Sequence, residues 1–127
     1  MVRLNAERLT KKEAQWQAIA IAACEQSGRN TIPIIHQTCS LEDYSSLCPA
    51  SIKLILDPNS KSSWRDIKFI EEDISLLIGP EGGLSDDEVL LLSKLGFQPM
   101  SLGPRILRTE TAALAAISVI QAICGDL

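Results

Sequence analysis

Two strand-sized apolar runs in this chain each pass directly into a Gly-Pro turn and then a helix start, and that pattern leaves few folds open. The first run leads into Leu77-Ile78-Gly79-Pro80-Glu81-Gly82-Gly83-Leu84-Ser85. The second leads into Leu102-Gly103-Pro104-Arg105-Ile106-Leu107-Arg108-Thr109-Glu110-Thr111-Ala112. Alternating strands and helices predict an α/β fold with a mainly parallel sheet flanked by helices. Ligands of such sheets bind outside the carboxyl ends of the strands. Two turns at matching ends of neighbouring strands therefore predict one crevice.

The remaining elements follow from periodicity and caps. A first helix is predicted from Thr10 to Glu25, with Trp16, Ile19, Ala20, Ala23 and Cys24 as one buried stripe and Gly28 as its stop. A short strand is expected at Ile32–Ile35, limited by Pro33, then a short helix capped by Ser40 and reaching Leu47. Ile52–Leu56 reads as a second strand, broken by Asp57-Pro58-Asn59-Ser60. Ile74–Ile78, wholly apolar but for Ser75, reads as a third strand covered on both faces. Ser85 and Glu88 form a capping box, with Leu84 and Val89 at the staple positions. That helix ends near Leu95, capped by Gly96. A fourth strand is expected at Gln98–Leu102 and a last helix from Thr109 to Cys124, stopped by Gly125. The polar stretch from Lys61 to Asp73 carries the weakest signals. Four strands make a thin sheet, and the chain opens abruptly, so a preceding segment is expected to be missing.

Composition narrows the function classes. The chain has 127 residues, enough for one domain with a real core. No apolar stretch approaches the length that spans a bilayer, and no apolar region of signal-peptide type follows Met1, so the chain reads as cytoplasmic with no membrane partner. Cys24, Cys39, Cys48 and Cys124 form no CxxC pair and read as structural thiols. His36 is the only histidine, so no metal site is expected. The net charge of −4 means that any grip on nucleic acid comes from a local patch or from outside this chain. Glu71-Glu72-Asp73 reads as a solvated turn. Asp86-Asp87 sits at the positive end of a helix dipole.

The two turns carry the chemistry. Gly79, Gly82 and Gly83 permit close backbone approach to a ligand, and the helix capped by Ser85 offers N–H groups to an anion. A simple tight strand-to-helix turn fits the same residues. Neither G-x-G-x-x-G nor the Lys-Ser/Thr of a P-loop is present, which disfavours dinucleotides and triphosphates. Arg105 and Arg108 suit phosphate or base contacts. Thr109 and Thr111 are candidate caps, and Glu110 lies in the first turn. Capping plus an exposed ion pair is the competing reading.

Both turn segments resemble the two signature segments of the small-subunit rRNA methyltransferase E family. Trp16-Gln17-Ala18-Ile19-Ala20-Ile21-Ala22-Ala23-Cys24-Glu25-Gln26-Ser27-Gly28-Arg29-Asn30 resembles the family's upstream helix. The resemblance runs from about Arg8 to Leu127. It implies a SPOUT-type fold with a trefoil knot at the C-terminal end, and methylation of a uridine of 16S rRNA, in the small ribosomal subunit, at ring nitrogen N3. It implies S-adenosylmethionine as cofactor, held largely by backbone. The implied cofactor residues are Ile78, Gly79, Pro80, Glu81, Gly82 and Gly83 of the first loop and Leu102, Gly103, Pro104, Ile106 and Leu107 of the second. Leu56 at the end of its strand and Thr111 and Ala112 at the start of the last helix complete the implied cofactor set. It also implies a homodimer. Against this family the chain lacks an N-terminal RNA-binding β-barrel and the first strand and helix, so residues 1–127 read as one incomplete SPOUT domain.

The chemistry implied is transfer of a methyl group from a sulfonium to N3, a poor nucleophile until its proton leaves. The resulting charge spreads onto two carbonyl oxygens, which a guanidinium could stabilise. Arg108 and Arg105 are the candidates, Arg108 first for this role and Arg105 as a grip on phosphate, with Glu110 or Glu81 as proton acceptor. N3 lies on the Watson–Crick edge, so the base must be unpaired or flipped. Two alternatives stay open: transfer to another RNA atom such as a ribose 2′-hydroxyl, and a non-catalytic remnant that folds and dimerises.

Overall fold

The computed structural model describes residues 5–68 and 73–127. The chain divides into two compact units, residues 1–43 and 44–127.

The first unit holds helix α1, Ala6–Ser27, which starts four residues before the expected Thr10. Asn5 explains the difference: its side chain accepts the Arg8 N–H at 2.9 Å, a strong N-cap for the helix. Gly28 ends the helix as expected, its N–H bonded to the Cys24 carbonyl. The stripe expected to be buried is not: Cys24 is the only buried residue of α1, while Trp16 and Ile19 are 43% and 58% exposed. The segment that follows α1 has neither helix nor strand until α2 and leaves that stripe uncovered. The strand expected at Ile32–Ile35 does not form. Pro33 has no N–H to give to a ladder, and no strand of the described residues pairs with this run.

Helix α2, Leu41–Leu47, is capped as predicted by Ser40 Oγ, which accepts the Asp43 N–H at 3.1 Å. The second unit then builds a parallel sheet. Its strands are β1 (Ile52–Leu56), β2 (Ile74–Ile78) and β3 (Gln98–Met100), in the order β2-β1-β3. Among the described residues the sheet thus has three strands where four were expected. The register pairs Leu54 with Leu76 and with Gln98, and Leu56 with Ile78 and with Met100. Helix α3 spans Asp86–Lys94 and α4 spans Thr109–Cys124.

Central β1 carries the core. Leu54 and Ile55 are fully buried and, being successive in a strand, face opposite sides of the sheet. Leu54 packs with Met100 and with Ala116 of α4, ringed by Ile52, Trp64, Leu76 and Ile120. Lys53, on the face of Ile55, donates to the Leu95 carbonyl at the end of α3 (3.2 Å).

Within the polar stretch after β1, Trp64–Asp66 forms a 3₁₀ turn that the sequence reading missed. A capping box of Ser63 and Asp66 starts it. Ser63 forms a parallel bridge with Ser101, and the Ser101 N–H donates to the Ser62 carbonyl at 2.9 Å. Met100, one residue earlier, faces β1, so this segment lies on the outer edge of β3. Strand β3 is shorter than expected because Ser101 pairs there and not with β1. Glu71 and Glu72 of the expected acidic turn lie outside the described residues; Asp73 accepts the Ile52 N–H. Among the described residues no helix is long and apolar enough to cross a membrane.

Truncating Leu54 to Ala is expected to cost about 2–5 kcal/mol, the range for a buried leucine. Leu90→Ala, on a side chain 56% exposed, should cost far less. Urea unfolding of both variants checks this; equal losses would mean that β1 does not carry the core.

Candidate functional site

The parallel sheet brings the carboxyl ends of all three strands to one side, where the loops that follow them enclose a crevice of about 320 Å³. Each loop is shaped by local bonds. After β1, Asp57 Oδ1 accepts the Asn59 N–H at 3.0 Å, while the Asp57 N–H donates to the Met100 carbonyl at 2.9 Å and ties the turn to β3. After β2, the Gly83 N–H closes a turn onto the Pro80 carbonyl at 2.8 Å, with Gly83 at φ 79°. A side chain at Gly79 would meet Leu84 at 3.0 Å, whereas one at Gly82 would meet nothing within 4 Å. The Ser85–Glu88 capping box forms in both directions, at 3.1 and 2.9 Å. It occupies the Glu88 N–H, and Asp86 and Asp87 in the same turn oppose an anion at this helix end. After β3, Gly103 sits at φ 119°, and Arg108 becomes the N-cap of α4 without a side-chain cap bond. Thr109 and Thr111, the expected caps, do not cap α4: the helix starts one residue earlier than a Thr109 cap requires.

Most of the residues singled out in the sequence come together here. Leu56, Ile78, Gly79, Pro80, Glu81, Gly82, Gly83, Leu102, Arg105, Ile106, Leu107 and Ala112 all line the crevice. Gly103, Pro104, Arg108, Glu110 and Thr111 do not line it. Sequence reasoning missed Asp57, Pro58 and Asn59, which it treated only as a strand breaker, together with Ile55, Leu84, Val89, Met100, Ser101 and Thr109. A signal was present: if β1 is central in a parallel sheet, the turn after it must border the same crevice. The charged lining residues are Asp57, Glu81 and Arg105.

The cysteines take no part in this lining. All four are unpaired thiols; Cys24 is buried, but Cys39 is exposed, which a structural role does not explain. Burial raises the pKa of the Cys48 thiol, yet hydrogen bonding to Ser75, the Ala50 backbone and Tyr44 and the charge of Lys53 outweigh it and leave the thiol below its ordinary value. Ser75 and Lys53 stand at the amino ends of their strands, away from the crevice. His36 is exposed.

Residues 1–121 match the model of a family described as the RNA methyltransferase domain. The chain belongs to that family. A relative from Buchnera aphidicola subsp. Schizaphis graminum, named ribosomal RNA small subunit methyltransferase E, is 39% identical over 92% of this chain and 48% of its own length. A solved Neisseria gonorrhoeae protein of the same name, bound to S-adenosyl methionine, is 41% identical with a TM-score of 0.90, over 100% of this chain and 54% of that one. A Legionella pneumophila methyltransferase solved with bound SAM is 50% identical with a TM-score of 0.95, over 100% and 52% of the two chains. The chain thus spans about half the length of the curated relatives it matches. The family resemblance read from the two turn segments is borne out.

Gly103→Ala should destabilise the fold by about 1–2 kcal/mol, because an L side chain is strained at positive φ. Gly82→Ala should change stability by less than about 0.5 kcal/mol. Thermal unfolding of the pair is the check; equal effects would contradict the loop geometry.

Proposed function

We propose that the crevice binds S-adenosylmethionine and that the chain carries out methyl transfer to a uridine of 16S rRNA at ring nitrogen N3. The observation that carries this reading is the convergence of both signature loops, residues 79–83 and 102–107, on one crevice. The residues present suit the cofactor. The volume falls at the lower end of the range for small-molecule sites. Leu56, Ile78, Leu102 and Leu107 offer apolar walls, Gly82 leaves room against bare backbone, and Asp57 and Glu81 oppose positive charge.

When bound, the cofactor supplies an electrophilic methyl group on a sulfonium. The chain's part is to place and ionise the uracil. Arg105 lines the crevice and is the cation best placed among the described residues to stabilise charge on the uracil carbonyl oxygens. Arg108 and Glu110, outside the lining, would act from the turn into α4, as orienting groups or by closing over the base. Of the two lining carboxylates, Asp57 already accepts the Asn59 N–H, which leaves Glu81 to take the N3 proton. The target base must leave its pair to reach the crevice.

The homodimer and the C-terminal trefoil knot belong to the same reading. Leu114 and Ile117 of α4 are 71% and 51% exposed, an apolar face suited to a second copy. A monomer by light scattering would remove the dimer, and an unthreaded backbone in a crystal structure would remove the knot.

Two measurements test the core of the proposal. Gly82→Leu should abolish S-adenosylhomocysteine binding in calorimetry while leaving the unfolding midpoint intact; unchanged affinity would rule the site out. In single-turnover transfer to small ribosomal subunits, Arg105→Ala should slow methylation about a hundredfold or more, the scale for losing one oxyanion donor. If Arg108→Ala alone shows that loss, the charge-stabilising role belongs to Arg108.

A further inference from the structure

Residues 44–127 carry eleven acidic side chains against seven lysines and arginines, yet the cations are not scattered. Five of the seven, Lys61, Arg65, Lys68, Arg105 and Arg108, fall in segments 61–68 and 105–108, which contain only one of the acids, Asp66. The other two cations lie elsewhere: Lys53 is engaged with the Leu95 carbonyl and the Phe97 ring, and Lys94 is in the last turn of α3.

The fold seats the first of these segments beside Ser101, four residues before Arg105 in the chain. Ser62 and Trp64 bond to Ser101 on the outer edge of β3, and Ser60 Oγ donates to the Pro99 carbonyl. Ser101 lines the crevice, as does Asn59, two residues before Lys61. Residues 61–64 therefore run along the outer edge of β3 beside Ser101, a residue of the crevice lining, and Arg65 follows directly. Asp66 keeps its charge but is held in the capping box, its carboxylate accepting the Ser63 N–H at 2.8 Å, and it leaves the segment with three cations against one acid. Among the described residues none of the five cations is in an ion pair. Lys61, Arg65 and Lys68 are exposed. The Arg65 guanidinium lies 5.2 Å from the centroid of the half-buried Trp64 ring, which holds its planar fork in a defined orientation and lowers the entropy lost on binding.

We propose that the 61–68 segment grips the phosphate backbone of the RNA substrate, with Lys61 and Arg65 as its principal contacts. This rests on the RNA methyltransferase reading of the crevice. It supplies the local patch that an acidic chain needs if it is to hold RNA by charge. The segment positions RNA without reading its sequence, since phosphate contacts carry none.

The test is fluorescence anisotropy of a labelled single-stranded oligouridine RNA, titrated with the chain across a series of salt concentrations. Lys61→Ala and Arg65→Ala should each make the dependence of log affinity on log salt shallower by about 0.7 and weaken binding about fivefold at roughly 0.1 M salt, the effect of one phosphate contact on single strands. Arg65→Lys should keep the salt slope, since it retains the charge, and lose part of the affinity. Lys94→Ala removes the same charge from α3 and should leave the slope unchanged. Variants at Lys61 and Arg65 that behave like Lys94→Ala, or a wild-type chain without salt-dependent RNA binding, would overturn the proposal. S-adenosylhomocysteine affinity, measured on the same proteins, should be equal in all of them. A wild-type chain that fails to bind it defeats the cofactor reading and leaves the RNA result to be judged separately.

Discussion

Everything in the second unit depends on β1 being central and parallel to both neighbours. The strand is short, five residues, and its middle is fully buried. Parallel pairing on both edges forces three carboxyl ends to one side, and three loops to meet there. The Asp57 N–H bonded to the Met100 carbonyl then extends the β1–β3 alignment beyond the end of β1. Without that alignment the Gly-Pro loops would be two separate turns.

Legibility followed the strength of local signals. The span of β1, the Ser85–Glu88 box and the full span of α4 could be read directly, because each has an apolar run or a cap that competes with nothing else. The 32–35 run misled because a short apolar run predicts a strand only where a partner exists, and tertiary pairing is not local. The stripe of α1 misled in the same way: a helical repeat announces an apolar face but not what covers it. The 3₁₀ turn at Trp64 was missed because three residues give no periodicity, although Ser63 and Asp66 formed the cap that marks it.

The candidate site was legible in its glycines and prolines and less so in its charges. Of the two arginines in the second loop, Arg105 lines the crevice, whereas Arg108 stands at the N-cap of α4, outside the lining. Spacing alone does not separate them, because the left-handed Gly103 redirects the chain between strand and helix. The acid of the third loop, Asp57, was hidden behind its role as a strand breaker. Its place became visible only with the strand order, which no local pattern encodes.

The most direct measurement is a nitrogen-15 NMR titration of the chain with S-adenosylhomocysteine. The account predicts amide shifts concentrated in residues 57–59, 79–84 and 101–107, with the amino ends of β1 and β2 unmoved. Shifts centred elsewhere, or none at saturating ligand, would contradict the claim that three parallel strands build the cofactor site.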